Sequence, residues 1–136
     1  MSVSIFLVRA LVEVAERSAA DLCAQIPFDR RRLEQPEARL EFEQFARVLS
    51  TAVAVTGDEA LGLHVAERMS EGAMDVLGHA AAHAPTMRDV LEGATQFASL
   101  VMDGMLVALH DEGDTFVVRY AFPRSTPLSD RLLAEL

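Results

Sequence analysis

The sequence predicts an α+β fold, a helical layer packed on an antiparallel β-hairpin or small sheet. Three observations predict it. Apolar residues recur at i, i+3, i+4 and i+7 in successive segments up to Val101, the mark of amphipathic helices. After Gly104 the apolar period drops from helical to two. A polar, glycine-containing stretch, Asp111-Glu112-Gly113-Asp114, then divides the alternating segment in two, as a hairpin turn would.

The elements follow in order. Ile5, Val8, Leu11, Val12 and Ala15 share one face of a helix expected from about Ser4 to Arg17. Arg9, Glu13, Glu16 and Arg17 interrupt its apolar run and no basic segment precedes it, so it reads as a helix and not an export signal. Ser18 is placed to cap a short second helix through Asp21, Leu22 and Cys23. Pro27 and Pro36 bracket a turn-rich connection. Phe42, Phe45, Ala46, Leu49, Ala52 and Val53 form the buried stripe of a third helix, with Gly57 as its stop and Asp58 as the next N-cap. The fourth helix carries Leu61, Val65 and Met69 on one face until Ser70-Glu71-Gly72 breaks it.

A shorter, alanine-rich helix is expected from about Met74 to His83, where Gly78 and the alanines permit close approach of another element. Thr86 and Asp89 then resemble a capping box. Met87, Val90, Leu91, Ala94, Phe97, Ala98 and Val101 give this sixth helix an unbroken stripe, opposed by Arg88, Glu92 and Gln96. The stripe predicts that the Thr86–Asp103 helix is central and buried, with Phe97 enclosed. In the hairpin, Met105, Val107 and Leu109 alternate with Leu106, Ala108 and His110, and Phe116, Val118, Tyr120 and Phe122 with Thr115, Val117, Arg119 and Ala121. Pro123 and Pro127 end the strand and open a last helix through Leu132, Leu133 and Leu136. Two strands are marginal alone in water, so further strands or a second copy should cover them. The pattern stops in mid-helix, which leaves the chain open to being a truncated domain.

Composition narrows the function. Half of the 136 residues are hydrophobic (51%), enough for a real core, and no apolar run is long enough to span a bilayer. A single cysteine, Cys23, fits a reducing cytosol and reads as a small core residue. The net charge of −9 argues against nucleic-acid binding by this part of a protein. Its one basic cluster, Arg30-Arg31-Arg32, is followed closely by Glu34, Glu37 and Glu41 and reads as a salt-bridged turn. All twelve basic residues are arginine, which excludes a Schiff-base lysine, a phosphate-loop lysine and a lysine general base within the chain.

Catalytic and metal constellations are weak. No nucleophile elbow or glycine-rich phosphate loop is present. Asp75, His79 and His83 would form one helical stripe, but a closed metal site needs three or four ligands, and a solvated stripe is the plainer reading. Met69, Met74, Met87, Met102 and Met105 border the apolar stripes and suit either core filling or an adaptable pocket. No enzyme activity, cofactor or metal is expected.

Three segments carry a resemblance. They are Thr56-Gly57-Asp58-Glu59-Ala60-Leu61-Gly62-Leu63-His64-Val65-Ala66-Glu67-Arg68, Val76-Leu77-Gly78-His79-Ala80-Ala81, and Ala84-Pro85-Thr86-Met87-Arg88-Asp89-Val90-Leu91. Followed by a hairpin with an acidic glycine turn, their order resembles the N-terminal arabinose-binding-type regulatory domain of AraC-family transcriptional regulators. The likeness runs from about Ala19 to Phe122 and is best from Thr56 onward. It implies a cytoplasmic bacterial regulator in which residues 1–136 form the N-terminal effector-binding and dimerisation domain. DNA would be bound only by a separate part with two helix-turn-helix motifs.

The effector is expected in the gap between sheet and helices, lined by Leu77, His79, Phe97, Val101 and Tyr120, with His79 and Tyr120 as polar anchors. A homodimer is expected, formed by the hairpin or the first helix. The alternatives are a module that only dimerises and a haem or gas sensor with His79 or His110 as axial ligand.

Overall fold

A computed structural model describes residues 1–18, 22–26, 28–69 and 75–122. Strand β1 (Ser2–Ser4) leads into α1 (Ile5–Ser18), α2 (Leu22–Gln25) and a 3₁₀ turn (Arg30–Glu34). Strand β2 (Arg39–Glu41) runs into α3 (Phe42–Thr56), followed by α4 (Leu61–Arg68), α5 (Asp75–Ala82) and α6 (Met87–Val101). Strands β3 (Leu106–Asp111) and β4 (Phe116–Ala121) complete the order. The architecture is α+β, with two separate two-stranded antiparallel sheets among the described residues. The expectations on Asp21, Pro27, Ser70-Glu71-Gly72, Met74 and Pro123 to Leu136 lie outside the described residues.

The centre of the molecule is α1, not α6. Ile5, Leu7, Val8, Ala10, Leu11, Val12, Val14 and Ala15 are all buried, a face wider than the stripe expected from spacing. Three of its neighbours supply much of its cover. One is α3, whose Phe42, Phe45, Val48, Leu49 and Ala52 are buried. Another is α4, with Leu61 and Val65, and the third is the 3₁₀ turn, with Leu33. Val48 is buried on one flank of the α3 stripe, while Ala46 and Val53, expected on the other flank, are only partly buried. Gly57 ends α3 in the left-handed region (φ 66°), where a side chain is costly, and its amide bonds the Val53 carbonyl.

The first helix starts one residue later than expected, because Ser2–Ser4 is a strand. It pairs with β2 in the register Ser2↔Glu41, Val3↔Leu40 and Ser4↔Arg39. Three residues are too few for an alternating pattern to register in sequence, and this sheet was not expected. It has a clear role, since Val3 and Leu40 are fully buried and Val3 also bridges Met102. Asp58 is a second correction. Helix α4 begins at Leu61 with Ala60 at the cap position. Asp58 instead turns the chain before it, accepting the Ala60 amide at 3.0 Å.

Helix α6 joins this helical body to the hairpin. The Thr86 cap is the expected capping box, with Thr86 Oγ1 accepting the Asp89 amide and the Asp89 carboxylate accepting the Thr86 amide. The apolar stripe also faces the expected way, but only Ala98 in α6 is buried, while Phe97 is 38% and Met87 69% exposed. The central, enclosed helix expected at Thr86–Asp103 is therefore not observed. The stripe packs on β3 and α5, and a two-stranded sheet is too narrow to cover it.

Candidate functional site

The hairpin is built as its period dictates. Register pairs Val107 with Tyr120, Leu109 with Val118 and Asp111 with Phe116, so these side chains share the face toward α6. Leu106, Ala108, His110, Val117, Arg119 and Ala121 fall on the outer face. Gly113 holds the turn with φ 79°, and its amide bonds Asp111 Oδ1 at 3.2 Å.

Between α5, α6 and the hairpin lies a cavity of about 190 Å³. Ala80 and Ala81 of α5 form one side. Helix α6 contributes a face from Asp89 and Val90 through Gly93, Ala94 and Phe97 to Val101. Met105, Val107 and Tyr120 close it from the hairpin. Among the described residues that line it, Asp89 is the one charged side chain and Tyr120 carries the one hydroxyl. The small residues make the hollow: a Cβ added at Gly93 would meet nothing within 4 Å.

Both ends of the α6–hairpin unit are fastened. At the start of α6, Arg88 pairs with Asp111 at 2.6 Å and lies over the Phe116 ring, 4.4 Å from its centroid. The Arg88 hydrogen bond holds the Asp111 carboxyl below the usual carboxylate range. At the far end, Asp103 Oδ2 accepts both the amide and the hydroxyl of Ser2 at 2.8 Å. Those bonds, with Arg39 beside them, also keep the Asp103 carboxyl low. Arg39 donates to Ser2 Oγ at 2.7 Å, to the Leu100 carbonyl at 2.9 Å and to Asp103 Oδ1 at 2.9 Å. One guanidinium thus ties β1, β2 and the end of α6 together.

A second, more open hollow of about 370 Å³ lies between α1 and the 3₁₀ turn. It is larger, but its rim is ionic, and the Arg30 guanidinium is bound in a fork to both oxygens of Glu16 at 2.7 Å. The Arg30–Arg32 cluster is the salt-bridged turn expected of it, with Asp29 capping it through the Arg31 amide.

A family model described as the arabinose-binding domain of AraC transcription regulators, N-terminal, matches residues 17–136. The chain belongs to this family. Members are ligand-binding regulatory domains of transcription regulators. No curated protein matches the chain. As an arabinose-binding-type domain it carries no described helix long and apolar enough to cross a membrane.

Of the residues expected to line an effector site in this arabinose-binding-type domain, the fold brings three together. Phe97, Val101 and Tyr120 all line the α6–hairpin cavity. His79 is exposed on α5 and is not among the lining residues, although its neighbours Ala80 and Ala81 are. Leu77 is in α5, with its side chain outside the described residues. The stripe Asp75-His79-His83 is incomplete for the same reason at Asp75. His79 and His83 lie side by side with ring centroids 4.1 Å apart, and His83 Nδ1 bonds the His79 carbonyl at 2.8 Å. His110, the other candidate axial ligand, is exposed on the outer hairpin face. Sequence reasoning missed the cavity floor, Gly93 and Ala94. The signal was present: two small residues interrupt an otherwise bulky stripe facing an alanine-rich helix.

Proposed function

We propose that the chain senses a small-molecule effector in the α6–hairpin cavity and, as a homodimer, passes that state to a DNA-binding part elsewhere in an AraC-type regulator. One observation carries the reading. The cavity's walls come from α5, α6 and the hairpin, with small residues lining the gap, an Arg88–Asp111 ion pair joining α6 to the hairpin, and Arg39 tying the far end of α6 to the helical body. A molecule filling that gap adds contacts to one spacing of these elements and so selects it. Ligands shift conformational populations by such differential contact, and a shifted hairpin would change how two DNA-binding units are presented.

Dimerisation is assigned to the hairpin. The apolar face of α1, the other candidate, is covered within the chain. The outer hairpin face carries Leu106, 68% exposed. Uncovered strand edges are a hazard that proteins shield, and a second copy across a two-fold axis would do so. The same exposure favours a second reading, a module that only dimerises.

Thermal melting separates the two. A ligand at about 100 times its Kd stabilises the folded state by about 2.7 kcal/mol. For a chain of this length that is a rise of about 10 °C. The sensing reading expects such a rise for some small molecules in a screen, lost in Ala94→Phe, which fills the cavity. A Leu106→Asp monomer with no small-molecule response in the wild type would leave dimerisation alone.

A further inference from the structure

The cavity's lining restricts what it can hold, and this step rests on the sensing reading above. Its volume, about 190 Å³, is near the roughly 150 Å³ cavity that takes a benzene ring and below the roughly 300–1,000 Å³ of drug-sized sites. Among the described residues the walls are apolar apart from Asp89 and the Tyr120 hydroxyl. A sugar presents a hydroxyl on nearly every carbon, and each one buried without a partner is penalised. Two polar side chains cannot satisfy such a molecule.

Charge decides the rest. Among the described residues, no arginine or histidine lines the cavity. The nearest guanidinium along α6, Arg88, is engaged by Asp111 and the Phe116 ring. Among the described residues an incoming carboxylate would therefore meet Asp89 and no cation. Asp89 Oδ2 is fixed by the Thr86 amide at 3.0 Å, while Oδ1 makes no hydrogen bond among the described residues. The whole chain carries −9, so its field draws in cations and repels anions.

We propose that the effector is a compact, ring-sized apolar molecule bearing an amine or a single hydroxyl, not a sugar and not a carboxylate. Its hydrocarbon body lies against Gly93, Ala94 and Phe97. Its one polar group meets Asp89 or the Tyr120 hydroxyl.

Tyr120 is the single tyrosine of a chain without tryptophan, so its fluorescence reports on this cavity. Four probes transparent where tyrosine absorbs would be titrated against the full chain: cyclohexylamine, cyclohexanol, cyclohexanecarboxylate and L-arabinose. Cyclohexylamine and cyclohexanol should change the emission saturably. The carboxylate should bind at least about tenfold more weakly than the amine, as expected of a like charge a few ångströms from Asp89. L-Arabinose should leave the emission unchanged. Asp89→Asn, whose amide oxygen can keep the Thr86 bonds, should erase the preference for amine over carboxylate, and Ala94→Phe should abolish binding of both favoured probes. Carboxylate or arabinose binding as tight as the amine's, lost in Ala94→Phe, overturns the ligand class and leaves the sensing site standing. No saturable response to any of the four overturns both.

Discussion

At the scale of single residues, depth of burial separates two phenylalanines that sequence treats alike. Phe45 is fully buried in the helical body, and Phe97 is 38% exposed at the cavity. Phe45→Ala should cost about 3–5 kcal/mol, the usual range for a buried ring. Phe97→Ala should cost about 1–2 kcal/mol, in proportion to the area it hides. Urea denaturation of both variants checks this, and equal costs would mean that α6 is as enclosed as α1. Gly93 tests the hollow itself. Glycine inside a helix is about 0.8–1.0 kcal/mol less favourable than alanine, and an added Cβ there meets open space. Gly93→Ala should therefore raise stability by up to about 1 kcal/mol while narrowing the cavity. His64 gives a pH signature. Its Nδ1 lies 2.6 Å from Asp58 Oδ2, and that hydrogen bond holds the imidazole above its ordinary range. The raised group stabilises fully below the unfolded histidine value, and the contribution fades as pH rises through the folded one. Melting temperature should fall across that window in the wild type, and the fall should shrink in Asp58→Asn.

At the scale of elements, the fasteners of α6 set what acid does to the hairpin. Asp111 and Asp103 both have lowered pKa values, the first through Arg88 and the second through Ser2 and Arg39. Their contributions are present above the ordinary carboxylate range and are lost as pH falls through the lowered values. Hydrogen-exchange protection of β3 and β4, corrected for the intrinsic amide rate, should fall over that acid range, and Arg88→Met should lower it already at neutral pH. Unchanged exchange in that variant would show that apolar packing alone holds the hairpin. These elements also show what the sequence could reveal. Thr86-Asp89 has a cap with a mechanism, Gly57 a stop and the hairpin a period, and each stands where local chemistry put it. The β1–β2 sheet was invisible because its three-residue strands pair across 35 or more positions and carry no local pattern. The direction of the α6 stripe was legible, but its depth depends on how much sheet covers it, which spacing does not encode.

At the scale of the whole molecule, the buried core gathers in the helical body around α1, and in the proposed function the α6–hairpin unit is the part that responds. The chain's −9 charge opposes the phosphate backbone, which supplies most non-specific affinity for DNA. The isolated chain should show no salt-sensitive binding to a duplex in a gel-shift or anisotropy assay, and submicromolar binding would contradict that. Sedimentation should give a dimer that Leu106→Asp converts to monomer. The central claim is that a small molecule enters between α6 and the hairpin. Amide chemical-shift mapping of the full chain with cyclohexylamine tests it most directly. The expected shifts centre on Ala80, Gly93, Ala94, Val107 and Tyr120, and vanish in Ala94→Phe. Shifts centred instead on Glu13, Glu16 and Glu34, around the ionic hollow beside α1, would contradict it.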